Sequence, residues 1–275
     1  ELVRQLVTLT PRRLVVVDRS EFGLYEIERE FTSRHSDVDF VVRLRDMCDR
    51  AGIDELMRTE RPDVVFHAAA YKHVPMLEAQ AREGVRNNVL GTRNVAECAV
   101  SAGVSAVVLI SSDKAVNPTN VMGATKRIAE IYCQNANERA PRTRFVTVRF
   151  GNVLGSAGSV VPLFQQQIEN GGPVTVTDPQ MKRYFMTIPE ASQLILEAGA
   201  VGKGGEIFVL DMGDPVRIGY LAEQMITLAG KRAGDDIEII YTGLRPGEKL
   251  FEELFHESEN LRSTGREKLL LAEFR

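Results

Sequence analysis

Ser112, Asp113 and Lys114 are consecutive, and Lys126 stands four positions after Met122. A hydroxyl, a carboxyl and two amines are side chains that hydrogen bond to an alcohol oxygen and move protons, once burial and neighbours tune their pKa values. Met122 does not share that chemistry, because a thioether neither gives nor takes a proton. A methionine at the start of a helix is ordinarily core filler.

The surrounding elements would bring these residues together. Ala106 to Ile110 is an apolar run that reads as a buried strand, and it breaks into hydroxyl, acid and amine where the strand should end. Asn117-Pro118 marks a turn. From Gly123 to Ala136 apolar and polar residues alternate at helical spacing, which sets Met122 and Lys126 one turn apart on one face. Strand end, loop and helix thus aim Ser112, Asp113, Lys114, Met122 and Lys126 at one cleft.

A hydroxyl residue after a strand, then Tyr-x-x-x-Lys at the start of a helix, is the active-site pattern of the extended short-chain dehydrogenase/reductase family. This stretch resembles it, with Met122 in the Tyr position. Ser-Asp-Lys together with that Met is similar to one branch, the bacterial UDP-N-acetylglucosamine 4,6-dehydratases that retain configuration at C5 and feed surface-polysaccharide or glycan synthesis. The likeness covers nearly the whole chain. It implies an α/β fold: a Rossmann-like doubly wound parallel sheet, with an NAD-binding domain over residues 1–150 and a smaller, mainly nucleotide-sugar-binding lobe over 151–275.

With 275 residues, 44% of them hydrophobic, the chain can bury a large core. A net charge of -4 provides no global basic field, which argues against a nucleic-acid partner and makes any phosphate site local. Cys48, Cys98 and Cys133 lack Cys-x-x-Cys spacing and the histidines do not cluster, so neither a metal site nor a disulfide framework is expected. A reducing cytosol fits. No run reaches the ~18 apolar residues of a membrane span. The resemblance nevertheless implies a homo-oligomer whose full-length form is anchored at the inner membrane by a region before Glu1, this segment facing the cytosol.

Leu2, Leu6 and Leu9 share a helical face that Pro11 ends. Leu14 to Asp18 reads as a short buried strand ending in an acid, where a dinucleotide-binding unit sets a carboxylate on the adenosine ribose. Alone, Asp18 would be an ordinary strand-end aspartate. The Gly-x-x-Gly-x-x-Gly turn that the resemblance places before this strand has no counterpart in the sequence. Residues 1–9 are therefore expected to be the remainder of the helix that opens on the pyrophosphate, with the central first strand missing. The strands at Leu14 to Val17 and Val64 to His67 should then lie roughly 10 Å apart, two inter-strand spacings, and not hydrogen bond to each other. Asp18 favours NAD, since a carboxylate repels a 2'-phosphate, while Arg19 leaves NADP open.

Further along, Asp37 to Val42 reads as a strand. By resemblance Asp46 and Met47 line the adenine. Ala68, Ala69 and Ala70 would form a small-residue turn close to the cofactor, and Asn88 would brace the site by hydrogen bonding. Val153 would meet the nicotinamide, and Asn152 would face substrate. Lys72 is a further substrate candidate, for which plain solvation is an equal reading. Arg183 and Arg245 would clamp the diphosphate, because a guanidinium meets phosphate oxygens bidentately, with Glu248 at the nucleotide half. Without the resemblance each would be a surface arginine. Glu257 to Arg275 is charged and reads only as a peripheral helix or strand.

The implied reaction removes hydride from C4, eliminates the C6 hydroxyl after loss of the C5 proton, and returns the hydride to C6. In it Lys126 binds the nicotinamide ribose, Ser112 the C4 oxygen, Asp113 is the acid and Lys114 the base. The tyrosinate role passes to Lys126 through water, to Asp113 or to another group. Three alternatives stand beside it: a nucleotide-sugar 4-epimerase, a C5-inverting dehydratase and a silent nucleotide-sugar-binding module.

Overall fold

The computed structural model describes residues 1–32, 38–156 and 158–274. Short Val-rich segments form the strands β1 (Arg13–Asp18), β2 (Asp39–Leu44), β3 (Val64–His67), β4 (Ala106–Ile110) and β5 (Arg144–Arg149). Asp37, the expected start of β2, lies outside the described residues, as do Ala157 and Arg275.

A six-stranded sheet runs β3, β4, β5, Ile207–Leu210, Leu269–Phe274, Glu259–Arg266. Its first four strands are parallel. β4 and β5 are buried along almost their whole length, which is why they read as continuous apolar runs and not as alternating ones. The sheet is covered on two faces by separate apolar clusters. One holds Val107, Leu109 and Phe145 with Val95 and Ala99; the other holds Val108, Val146 and Val148 with Leu194 and Ile195.

β1 pairs in parallel with β2 and with no other described strand, while β3 is the sheet edge. As expected, β1 and β3 do not hydrogen bond to each other. The expected N-terminal helix is also present, as Leu2–Thr8.

The tail, which in sequence reads only as a peripheral helix or strand, is strand. Glu259–Arg266 and Leu269–Phe274 form a hairpin whose second strand pairs antiparallel with Ile207–Leu210. Apart from the buried Glu259 its charges face outward, while Leu269 and Ala272 enter the core. The central sheet therefore takes strands from both halves of the chain. The rest of the second half builds a smaller core from Phe164, Ile168, Val174, Val176, Ile226 and Ile237, with short paired strands around it.

Candidate functional site

In-register pairing sets the geometry. His67 is opposite Leu109, and Ile110 is opposite Val148, so β3, β4 and β5 end along one edge. The ladder continues past β4 through Ser111 N–H to Val148 O (2.7 Å) and Asp113 N–H to Phe150 O (3.0 Å). A cavity of about 540 Å³ opens beyond these ends, the usual place for a ligand in such sheets.

Ser112 caps a single 3-10 turn, Asp113–Ala115, its Oγ accepting from Lys114 N–H at 3.3 Å. The same hydroxyl donates to Asp113 Oδ1 (2.9 Å), which also accepts from Lys114 Nζ (2.9 Å). Lys114 Nζ further reaches Asn152 Oδ1 at 3.4 Å and Glu252 Oε1 at 3.6 Å. Four buried side-chain polar atoms lack a hydrogen-bond partner among the described residues, and Asp113 Oδ2 and Glu252 Oε2 are two of them. Burial pulls the Lys114 pKa down, but Asp113 and Glu252 outweigh it, so the net shift is upward. Gly151 is required by close approach: a Cβ there would lie 2.9 Å from Tyr184 Cβ and 3.1 Å from Asp113 Oδ2.

The opposing wall is the helix Val121–Arg139, longer than its predicted span. Asn120 caps it, accepting from Gly123 N–H at 2.7 Å, and its amide also donates to Gly247 O at 2.9 Å. One side chain thus ties the helix start to the Arg-Pro-Gly-Glu turn. Gly123 lets the helix press on the Lys114 backbone, since a Cβ there would fall 2.1 Å from Lys114 O. Met122 is buried against Val74, Leu77 and Tyr71 in an apolar packing role. Lys126 Nζ donates to Ile110 O at 2.6 Å, and burial pushes its pKa down to about 8 against the opposing pull of Glu130.

Asn88 has the bracing position expected of it. Its side chain accepts from Tyr71 N–H (2.8 Å) and donates to Tyr71 O (3.0 Å) and to Thr125 Oγ1 (2.9 Å). It lies in a π-helical segment, Val85–Gly91, within what reads in sequence as one regular helix. The extra residue per turn carries Asn87 and Asn88 inward together.

The cavity brings together Ala68, Ala70, Lys72, Ser112, Lys114 and Met122 with Lys126, Asn152, Val153, Arg183, Arg245 and Glu248. Asp113 lies fully buried behind the lining. Asp18, Arg19, Asp46, Met47 and Ala69 do not line it. Asp18 is exposed at the end of β1, accepting from Ser20 N–H at 2.8 Å. The Arg19 guanidinium stacks 4.6 Å from the ring centroid of Tyr71, itself a lining residue. Asp46 accepts from Cys48 N–H, and Met47 is buried with the core residues beside Gly91. Arg183 is buried, not a surface arginine, and donates to the carbonyls of Lys182, Lys249 and Leu250. Arg245 is exposed and held by Glu248 (Nε to Oε1, 3.0 Å).

Glu252 is the residue that sequence reasoning missed. Two acids in a charged stretch, Glu252-Glu253, carry no local signal that one turns inward. Among the described residues no group of His, Cys, Asp and Glu is placed to hold a metal, and no helix is long and apolar enough to cross a membrane.

The sequence model described as polysaccharide biosynthesis protein matches residues 1–273. The chain belongs to that family. It is 54% identical over 260 residues to the capsular polysaccharide biosynthesis protein CapD of Staphylococcus aureus, covering 94% of this chain and 43% of CapD. It thus spans less than half of that relative. The X-ray structure of Pen from Bacillus thuringiensis superposes with a TM-score of 0.88 at 35% identity, covering 98% of this chain and 81% of Pen. Two more distant structures share the fold at a TM-score of 0.79 and 22% identity. DesIV, a dTDP-glucose 4,6-dehydratase from Streptomyces venezuelae with NAD bound, matches 92% of this chain and 83% of its own. A UDP-glucose 4-epimerase from Thermus thermophilus in complex with NAD matches 92% and 85%.

Proposed function

We propose that this chain is the catalytic segment of an NAD-dependent dehydratase that converts UDP-N-acetylglucosamine to a UDP-4-keto-6-deoxy-N-acetylhexosamine for surface polysaccharide synthesis. The observation that carries the reading is the Asp113–Lys114 pair, 2.9 Å apart with Lys114 at the cavity wall and Asp113 directly behind it, in addition to Ser112 and Lys126. Exchanging hydride at C4 alone, as an epimerase does, needs no second acid and base; eliminating the C6 hydroxyl does. Family membership supports the setting in polysaccharide synthesis.

The residues present suit a dinucleotide. Ala68 and Ala70 keep the rim small where β3 ends, Val153 and Lys126 line the same cavity, and Asp18 stands exposed at the end of β1, where it favours a free ribose 2'-hydroxyl. When bound, NAD supplies a reversible hydride acceptor, so substrate becomes product plus water without net redox change. Ser112 hydrogen bonds the C4 oxygen. Lys126, with its pKa near 8, takes the C4 hydroxyl proton that Met122 cannot. Lys114 takes the C5 proton, and Asp113 delivers a proton to the departing C6 oxygen. Arg183 and Arg245, with Glu248 and Lys72, form the side of the cavity assigned to the diphosphate and nucleotide.

The test is product analysis. The full-length protein given NAD and UDP-N-acetylglucosamine should yield a product one water lighter by mass spectrometry, with deuterium from solvent at C5 and retained configuration. A product of unchanged mass would establish the epimerase instead, and no product would leave binding alone. The same preparation reports oligomeric state by light scattering, a homo-oligomer being expected, and membrane association by fractionation.

A further inference from the structure

Lys114 presents a difficulty to the reaction just proposed. A base must be an unprotonated amine, yet Lys114 sits between two carboxylates that favour its ammonium form, Asp113 at 2.9 Å and Glu252 at 3.6 Å. Asp113 is committed to the departing oxygen. Glu252 is not. It is buried at the cavity wall, also lies 3.9 Å from Arg183 Nη2, and leaves Oε2 without a partner. The charged groups acting on it are Lys114, Asp113, Arg183 and Lys249, and the amine of Lys249 is taken up by Val116 O (3.1 Å) and Glu253 (3.2 Å).

Resting on that reading, we propose that Glu252 is a positioning residue for Lys114 and stores its proton during elimination. An N–H bond of the Lys114 ammonium breaks as an O–H bond forms on a Glu252 oxygen, giving a neutral amine beside a neutral carboxyl. The amine then takes the C5 proton while Asp113, protonated by the proton that the C4 hydroxyl released on oxidation, gives that proton to the departing hydroxyl, which leaves as water. Once C6 has been reduced, Lys114 returns a proton to C5 and Glu252 returns its proton to Lys114, so the cluster ends as it began. Burial is the largest of the effects that raise the Glu252 pKa, so the carboxyl is able to hold a proton beside the amine. Two carboxylates around one amine allow the acid and the base to be ready at the same time.

Glu252→Gln removes the proton store and keeps the shape. In the full-length protein with NAD and UDP-N-acetylglucosamine, E252Q should lower kcat about tenfold or more while KM stays within about threefold. Above the pH at which the wild-type kcat is level, kcat of E252Q should climb with pH, because Lys114 must now lose its proton to solvent. E252D should keep the wild-type pH profile at reduced kcat. A flat E252Q profile, or a rise in KM alone, would overturn the proposal, the latter by assigning Glu252 to Arg183. A second measurement needs no substrate: acetic anhydride labelling of Lys114, read by peptide mass spectrometry, should reach half-maximum at lower pH in E252Q. If E252Q fails to fold, E252D carries both readings, and a kcat equal to wild type would overturn the proposal. Unchanged labelling would overturn the Lys114–Glu252 coupling, whereas a wild-type protein that releases no water would overturn the proposed function and not the coupling.

Discussion

Two groups of buried charges adjoin the residues that follow β4. In one, Arg149 donates to both oxygens of Glu130 at 2.8 Å and to both of Glu259 at 3.1 and 2.8 Å. Ser111 and Arg127 complete Glu130, and His256 N–H completes Glu259. In the other, Lys114 is shared among Asp113, Glu252 and Asn152, and two carboxylate oxygens are left without a partner. Both groups are buried and both pair opposite charges. The difference is completion. A saturated network fixes each protonation state and joins β5, the helix Val121–Arg139 and the C-terminal hairpin. An unsaturated one leaves buried carboxylate oxygens unpaired, at a cost in stability.

The sharpest way to break this comparison is to remove Arg149. Arg149→Ala strands two buried carboxylates and should lower stability by about 3–5 kcal/mol. Urea unfolding measures it, and a loss below about 1 kcal/mol would show that the saturated group is not structural. Lys114→Ala and Asp113→Asn should show instead in catalysis. Turnover falls by about 10²-fold or more, about 2.7 kcal/mol of barrier, with substrate affinity little changed. Wild-type turnover in both would remove them from the mechanism. Between these extremes lies Asn88. Asn88→Ala leaves the Tyr71 N–H and C=O buried without their partner and should cost about 1–3 kcal/mol. It should also weaken turnover by displacing Tyr71 and Thr125; unaltered kinetics would make Asn88 purely structural.

The same contrast explains what could be read from the sequence. β4 and the residues after it were legible because the signal is local: an apolar run, an abrupt change to Ser-Asp-Lys, then a helix. Asp113 and Lys114 are neighbours in sequence and remain neighbours in space. Glu252 and Glu259 reach their partners across more than a hundred residues, and nothing near them distinguishes an inward acid from a solvated one. The tail could be read only as a peripheral helix or strand for a related reason, since the charges of its outer strand obscure Leu269 to Leu271, which pair with Leu210, Val209 and Phe208. Asn88 was found by motif, but the π-helical segment that turns it inward leaves no mark on the apolar spacing. Arg183 looked like a surface residue because its partners are backbone carbonyls, which are invisible in side-chain patterns.

The last prediction concerns Lys126, which belongs to neither group but lies beside Glu130 of one and the cavity of the other. Among the described residues its amine has a single hydrogen bond, to Ile110 O, and burial pushes its pKa from 10.5 to about 8. In the unfolded chain the proton is held up to about 10.5; in the folded protein it leaves near 8. Between those values the unfolded state binds more protons, so the contribution of Lys126 to stability rises with pH across that window and is weakest below it. The same titration should be visible in function. If neutral Lys126 takes the C4 hydroxyl proton in place of a tyrosinate, kcat/KM should rise with pH on a limb centred near 8 in the free enzyme, and level off above it. Lys126→Arg keeps the cation and its reach to the Ile110 carbonyl but cannot deprotonate, so the limb should vanish along with most of the activity. A limb that persists in the arginine variant would place the proton acceptor elsewhere, with Asp113 the next group to vary.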